Sequence, residues 1–452
     1  MANRLNQFWK LGSKEYNTQF FDITKSGELM VKEGNYQYNL VELAKKYGTP
    51  IEIVFPSIIE GRVKNVIDYF TAHMKLNDYR GKFFYHYPMK VNQNKEFVLP
   101  IISEGAHLET SSANELWIVR RLWEKGQFNA KIRVLCNGPK THRYLTLIEE
   151  LNRKGLIIIP IIEEERELKF FSKYPGEVGI RVDMNLKVQS HWDKKFNHFG
   201  FTEEKLLKLG KIRNLGMLSY HISSQIEKVD GIVSPIKRAV KIYAKLRKNN
   251  PQLDTINIGG GAGVPYEKKP FYSAKTVINR VVKAFKQSAQ QFEVRDPNII
   301  CEWGRYVTAP AQITIFNVIS EKAVENGQAK RWYILDGSFI NDLSDTWAIK
   351  QRWHIVPVSH LDNRKLMRVW LAGSSCDSDD KYTAGGNYVL LPKLEDGGDQ
   401  YIAVLDTGAY QDSLASHHCL LSSPAKIIVQ NGLISVARKR ENPEEIGRLF
   451  GW

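Results

Sequence analysis

Short runs rich in branched and aromatic side chains recur through the middle of the chain. Between them lie longer stretches whose apolar positions fall three and four residues apart. The runs are Lys82–Tyr87, Ala106–Thr110, Ile132–Cys136, Leu156–Ile162, Val178–Asp183, Met217–His221, Thr255–Ile258 and Ile299–Glu302, and each reads as a strand. Ser57–Met74, Ala113–Lys125, His142–Lys154, Glu164–Phe171, Glu203–Lys211, Ser234–Asn249 and Thr276–Phe292 read as helices; Leu116, Val119, Arg120 and Trp123, for example, repeat at helical spacing. Pro251 and Pro297 stand just past two of them, where stop signals belong. Strands alternating with helices predict an α/β fold with a parallel sheet. Eight such repeats over about 250 residues match a TIM-like (β/α)8 barrel, with a doubly wound open sheet as the alternative.

After Pro310 the rhythm changes. Gln312–Ile319, Arg331–Leu335, Leu366–Leu371, Asn387–Leu391, Tyr401–Leu405, Ala425–Val429 and Leu433–Ala437 read as strands without long helices between them, and Asn431-Gly432 is a hairpin-type turn. This predicts an antiparallel β-domain, a sandwich or barrel. The short alternating segments of Tyr16–Val41 join it. The expected division is residues 57–310 for the barrel, and 1–56 with 311–452 for the β-domain.

Composition narrows the class. The 452 residues are 43% hydrophobic and 25% charged, as in ordinary globular proteins. Lysine and arginine number 64 against 49 aspartates and glutamates, a formal charge of +15. The densest basic stretches, Lys205–Arg213 and Lys237–Lys248, carry apolar residues at helical spacing, so they read as solvated helix faces. No helix-turn-helix, RNA-binding or zinc motif accompanies the charge, and no nucleic-acid partner is expected. The cysteines Cys136, Cys301, Cys376 and Cys419 are far apart in sequence, which excludes a CxxC metal or redox pair. Met1–Lys14 has no apolar h-region, and the run Leu156–Ile162 is too short to span a bilayer. A soluble cytoplasmic protein without membrane or metal partners is the expectation.

In a barrel, chemistry gathers where strands end. The strand ends here supply Lys90, Glu109, Arg181, His221 with Ser224, the glycines from Gly259 to Gly263, and Glu302 with Arg305. Each is weak alone: a lone lysine is ordinarily a solvated cation, and a histidine after a strand is ordinarily structural. The glycines do not fit GxGxxG, and no GxxxxGK[ST] loop exists. Together they suit one cofactor. Glycines and an arginine can hold a phosphate, and a desolvated lysine can form a Schiff base. A histidine can lie against a ring, and a carboxylate can keep a pyridine nitrogen protonated. Pyridoxal 5′-phosphate (PLP) needs that complement. In the β-domain, Cys376 stands beside Asp377 in a dense acidic segment, and Tyr410 lies in Gly408-Ala409-Tyr410-Gln411.

These segments resemble the fold-type III PLP-dependent decarboxylases of the alanine racemase-like barrel superfamily, in particular the biosynthetic arginine decarboxylase branch. The matching pieces are Tyr87-Pro88-Met89-Lys90-Val91-Asn92-Gln93, Cys136-Asn137-Gly138, His221-Ile222-Ser223-Ser224-Gln225, Gly259-Gly260-Gly261, Asp345-Thr346-Trp347-Ala348-Ile349, Cys376-Asp377-Ser378-Asp379 and Gly408-Ala409-Tyr410-Gln411. The resemblance implies that Lys90 carries PLP, His221 stacks on its ring and Glu302 meets its nitrogen. Ser224, Gly260, Gly261, Arg305 and Tyr410 would grip the phosphate, with Glu109 and Arg181 lining the cofactor. Cys376 would protonate the product, and Asp377 and Asp345 would meet the substrate. A homodimer with active sites at its interface, acting on arginine in polyamine synthesis, is implied. Lysine, ornithine, diaminopimelate or carboxynorspermidine decarboxylation, or a non-catalytic relative, are the alternatives. The sequence departs from the family at Ser223, where glycine is usual, at Trp303, expected to reshape the cofactor mouth, and at Thr110-Ser111-Ser112.

Overall fold

A computed structural model describes residues 8–185, 197–267, 269–363, 365–383, 388–393 and 399–452. The chain divides into two compact units. One comprises Met1–Ile59, Pro265–Pro270 and Thr308–Trp452, and the other Glu60–Val264 and Phe271–Val307.

The second unit is the barrel. All eight strands form: β1 (Phe83–Pro88), β2 (His107–Thr110), β3 (Arg133–Cys136), β4 (Ile157–Ile162), β5 (Val178–Asp183), β6 (Leu215–Ser219), β7 (Thr255–Asn257) and β8 (Asn298–Cys301). Each pairs in parallel with the next, and β8 pairs in parallel with β1, so the sheet closes and the open-sheet alternative is excluded. Leu135, Ile159, Ile161, Met217 and Ile300 meet in its core, completely buried. Burying a side chain of this kind is worth about 1.5–3 kcal/mol, which is why these runs stay in the sheet.

The outer helices begin where hydroxyl side chains cap them. Ser112, Thr141 and Ser273 accept from backbone N–H groups in the first turns of Ala113–Glu124, His142–Arg153 and Ala274–Gln291. Helix Val229–Arg247 buries Ile236, Val240 and Tyr243 and leaves Lys237, Lys241 and Lys245 exposed, so its charge is a solvated face. Helix Lys95–Ser103 was not foreseen, because Pro100 inside it masks the pattern. β6 ends at Ser219, two residues short of the predicted His221, which releases His221 into the loop beyond.

In the first unit, strand Gln312–Ala323 pairs antiparallel with Ile51–Val54, Arg331–Leu335 and Tyr401–Val404. Two pairings of this sheet are parallel: Arg331–Leu335 with Leu366–Ala372, and Ile51–Val54 with Ala425–Gln430. Strand Val389–Pro392 stands where Asn387–Leu391 was predicted; Asn387 itself lies outside the described residues. Phe21–Ile23, Leu29–Glu33 and Tyr36–Asn39 make a separate three-stranded sheet. Among the described residues no helix is long and apolar enough to cross a membrane.

Candidate active site

The barrel residues are placed by their local sequence. Tyr87 is buried, and its hydroxyl donates to the Asn92 carbonyl at 2.9 Å across the single 3-10 turn Met89–Val91. Gln93 donates to Glu115 Oε1 at 2.9 Å, and the Ser111 N–H donates to Glu115 Oε2 at 2.6 Å, fastening the next residues. Met89 and Val91 on either side of Lys90 are fully buried, which anchors the turn. Lys90 is exposed. Its charge still reaches inward. Burial pushes the Glu109 and Glu302 carboxyls up, and Lys90 is the strongest influence pulling each back down.

Glu302 follows β8 and is buried. Its Oε1 accepts from Asn257 Nδ2 at 2.6 Å and from Asn137 Nδ2 at 3.4 Å, and its Oε2 lies 3.6 Å from His221 Nε2. Glu109 on β2 accepts from the Ser111 hydroxyl at 2.8 Å through Oε1; its buried Oε2 has no hydrogen-bond partner among the described residues. Arg181 on β5 pairs with Glu163 at 3.3 Å and lies over the Phe199 ring at 4.5 Å.

The loops after β6 and β7 are bound together. Gln225 exchanges two hydrogen bonds with the Val264 backbone, at 3.0 and 2.7 Å, and the Ile226 N–H donates to the Gly261 carbonyl at 3.0 Å. Ser224 is half-buried in the first of these loops. Gly259 and Gly261 have φ of +66° and +127°, and a Cβ on them would come 2.5 Å from His221 Nδ1 and 2.8 Å from Ile226 Cδ1. Gly260 beside them would bring a Cβ 3.1 Å from the Glu302 carbonyl. Arg305 is buried on the one-turn helix that opens at Gly304. A Cβ on Gly304 would meet Val91 Cγ2 at 2.6 Å and Pro88 Cγ at 2.7 Å, so this glycine lets the Arg305 turn pack against the Lys90 turn.

Trp303 does not reshape the mouth. It is a core residue, 2% exposed, with its ring 6.2 Å from both Phe70 and Tyr306. Large and apolar, it turns into the core when Glu302 takes the opposite side of the chain.

The first unit carries the remaining residues. Asp345 is buried, and its N–H donates to Gln411 Oε1 at 3.2 Å, which joins the Asp345 and Gly408–Gln411 segments. Tyr410 is half-buried with φ +70°. Just beyond it Asp412 pairs with the buried Lys426, which also meets Glu52 at 3.1 Å. In the acidic segment the carboxylates divide. Asp380 is buried and accepts from the N–H groups of Phe339 and Ser375 at 2.7 and 3.1 Å, so it is structural. Asp377 is half-buried and pairs with His418 Nε2 at 3.2 Å. Cys376 is exposed, 3.5 Å from the sulfur of Cys419.

Sequence reasoning gave no role to Asn137, Asn257, Ser111, Glu115, Glu163, His418 or Cys419. The two asparagines stand at strand ends, the signal that found the others. His418 and Cys419 arrive from a loop about 40 residues away with no such signal.

The residues present fit PLP. A backbone cradle closed to side chains, a buried carboxylate held by amide donors and a lysine that electrically senses it meet the needs of a phosphate, a ring nitrogen and an aldehyde.

Comparison with known proteins agrees. The biosynthetic arginine decarboxylase of Bacteroides thetaiotaomicron is 23% identical over 97% of this chain and 90% of its own. The crystal structure of the Campylobacter jejuni biosynthetic arginine decarboxylase superposes with a TM-score of 0.81 at 21% identity, covering 96% of this chain and 89% of that one. A diaminopimelate decarboxylase from M. jannaschii gives 0.80 at 21% identity, over 95% and 97% of the two chains. The family model for the pyridoxal binding domain of pyridoxal-dependent decarboxylases matches residues 66–309. That match takes in every strand of the barrel and more than half of the chain, so the chain belongs to the pyridoxal-dependent decarboxylases and is a PLP-dependent amino-acid decarboxylase.

Proposed function

We propose that the protein decarboxylates a basic L-amino acid, with L-arginine to agmatine as the reaction. The observation that carries this reading is Glu302, a buried carboxylate fixed by Asn257 and Asn137 and close enough to Lys90 to feel its charge. When bound, PLP supplies an electron sink for the pair left behind as carbon dioxide departs. The chain's own residues do the rest. Lys90 holds the cofactor, His221 lies against its ring and Glu302 meets its nitrogen. Ser224, Gly260, Gly261, Arg305 and Tyr410 hold the phosphate, with Glu109 and Arg181 alongside. Cys376 returns a proton to the substrate's α-carbon. Its thiol is held up from the ordinary cysteine value chiefly by its hydrogen bond to Cys419, which suits a proton donor.

The choice of a cationic substrate is supported by Asp377, a half-buried carboxylate beside Cys376, because a desolvated cation needs an opposite charge. Asp345 is the second substrate residue. The naming of the relatives favours arginine. The working form is a cytoplasmic homodimer in which Cys376 and Asp377 serve the barrel of the partner subunit.

The test is product mass analysis of PLP-loaded protein given arginine, ornithine, lysine or diaminopimelate separately, with Lys90→Ala as control. Agmatine from arginine alone, absent with Lys90→Ala, is the expected result. Product from another substrate overturns arginine and keeps the cofactor site. Full activity in Lys90→Ala overturns the role of Lys90. Sedimentation at the mass of a single chain overturns the dimer.

A further inference from the structure

Two of the four cysteines are buried, and the other two face each other. Cys136 and Cys301 lie in the barrel at 0% exposure, and burial raises both thiols, Cys136 to about 11. Cys376 and Cys419 are exposed, with their sulfurs 3.5 Å apart although 43 residues separate them in sequence. A disulfide needs about 2.05 Å between sulfurs. The remaining gap is roughly 1.5 Å, within reach of small side-chain rotations in exposed loops.

The pair is held from both sides. Asn341 Nδ2 donates to the His418 carbonyl at 2.9 Å, and its Oδ1 accepts from the His418 N–H at 3.1 Å and from the Ser416 hydroxyl at 2.8 Å. That clamp fixes the residues just before Cys419. On the other side, His418 Nε2 lies 3.2 Å from Asp377 Oδ2, which ties the neighbour of Cys419 to the neighbour of Cys376. Between these ties Cys419 and Leu420 have φ of +58° and +55°. Two successive side-chain-bearing residues in the left-handed region are disfavoured and persist only where the surroundings impose them. Here they sit in the loop that brings one sulfur to the other.

We propose that Cys376 and Cys419 are a modification site: hydrogen peroxide converts them to a reversible disulfide that switches the enzyme off. The switching part rests on the reading of Cys376 as proton donor. In the first step one thiolate attacks a peroxide oxygen. The O–O bond breaks, water is lost after protonation, and that sulfur becomes a sulfenic acid. The second thiolate then attacks the sulfenic sulfur, forms the S–S bond and expels hydroxide, which takes up a proton to leave as water. In sum, two thiols and one peroxide give one disulfide and two waters. The two sulfurs are oxidised and the peroxide is reduced. A thiol reductant reverses it by exchange. With its sulfur in the S–S bond, Cys376 has no proton to give.

The experiment uses the reduced, PLP-loaded, full-length enzyme treated with hydrogen peroxide and then with dithiothreitol, followed by peptide mass mapping and turnover. The expected result is a peptide joining Cys376 to Cys419, two hydrogens lighter than its parts, with Cys136 and Cys301 still reduced. Turnover falls roughly a hundredfold, the scale of a lost general acid, and dithiothreitol restores it. Cys419→Ser, whose hydroxyl replaces the thiol beside Cys376, is read against its own untreated turnover. Peroxide then carries Cys376 on to sulfinic acid, and dithiothreitol no longer restores activity. Recovery as complete in Cys419→Ser as in the parent overturns the proposal, as does oxidation of the two cysteines without a joined peptide. A joined peptide with full turnover keeps the modification site and overturns both the switch and the proton-donor role of Cys376. Loss of the joined peptide in an enzyme that still makes agmatine overturns this inference and leaves the decarboxylase reading intact.

Discussion

The barrel rim and the acidic loop of the β-unit hold their reactive groups in different ways. On the rim, each group sits within a few residues of a strand end, and its supports come from strand ends around the same ring. Glu302 past β8 is held by Asn257 at the end of β7 and Asn137 after β3. In the β-unit, Cys376 and Asp377 belong to a loop shaped by Asp380 beneath it and faced by His418 and Cys419 from a distant segment. A closed sheet fixes position through its register, so a single side chain there has one place to be. A loop fixes position through side chain–backbone bonds, so its reactive groups depend on residues that do no chemistry themselves.

The largest effect that sharpens this contrast is expected at Glu302. Glu302→Gln should lower turnover by roughly a hundredfold to a thousandfold, with the fold unchanged by circular dichroism, because the buried carboxylate is the group the rim is built around. Equal activity in the variant would break the contrast at its strongest point. Gly304→Ala comes next. Its added methyl would press on Val91 and Pro88, and overpacking of this kind costs about 1–3 kcal/mol. PLP titration by absorbance should show affinity weaker by roughly ten- to a hundredfold. The smallest effect concerns pH. Burial, with help from Arg133, lowers His107 in the barrel to about 4, and burial lowers His354 in the β-unit to about 4. Both are neutral when folded, while the unfolded chain takes protons below its ordinary value near 6.5. Stability is therefore full above that value and is lost as pH falls toward 4, by on the order of 2 kcal/mol for each histidine. Denaturant midpoints at pH 7 and pH 5 should separate, and His107→Gln should narrow the gap.

The same contrast explains what was legible in the sequence. The eight strands and the long helices between them follow from periodicity because alternation and helical spacing are local consequences of burial, while Pro100 hid the helix after the first strand. The rim residues were legible because a barrel turns order along the chain into order around a ring. The helix Pro443–Leu449 was signalled by its capping box, Asn442 with Glu445, and still went unread as structure. The parallel pairing of Ile51–Val54 with Ala425–Gln430 was not legible, since no local pattern announces a partner more than 370 residues away. Trp303 went wrong for a related reason: which way a side chain turns after a strand depends on what fills the other side. His418 and Cys419 lay beyond reach because their meaning comes only from what they face.

The barrel closes where β8 meets β1, and Lys90 and Glu302 stand on the two sides of that seam. The lysine is therefore among the first rim residues to be synthesised and the carboxylate among the last. A nascent chain that has not yet passed Arg305 carries the amine without its counterpart, and without Gly304 to bring the two turns together. The juxtaposition of Lys90 and Glu302 thus waits for the final barrel strand. A chain truncated inside the last barrel strand would hold seven-eighths of the ring and none of the pairing that makes it a site.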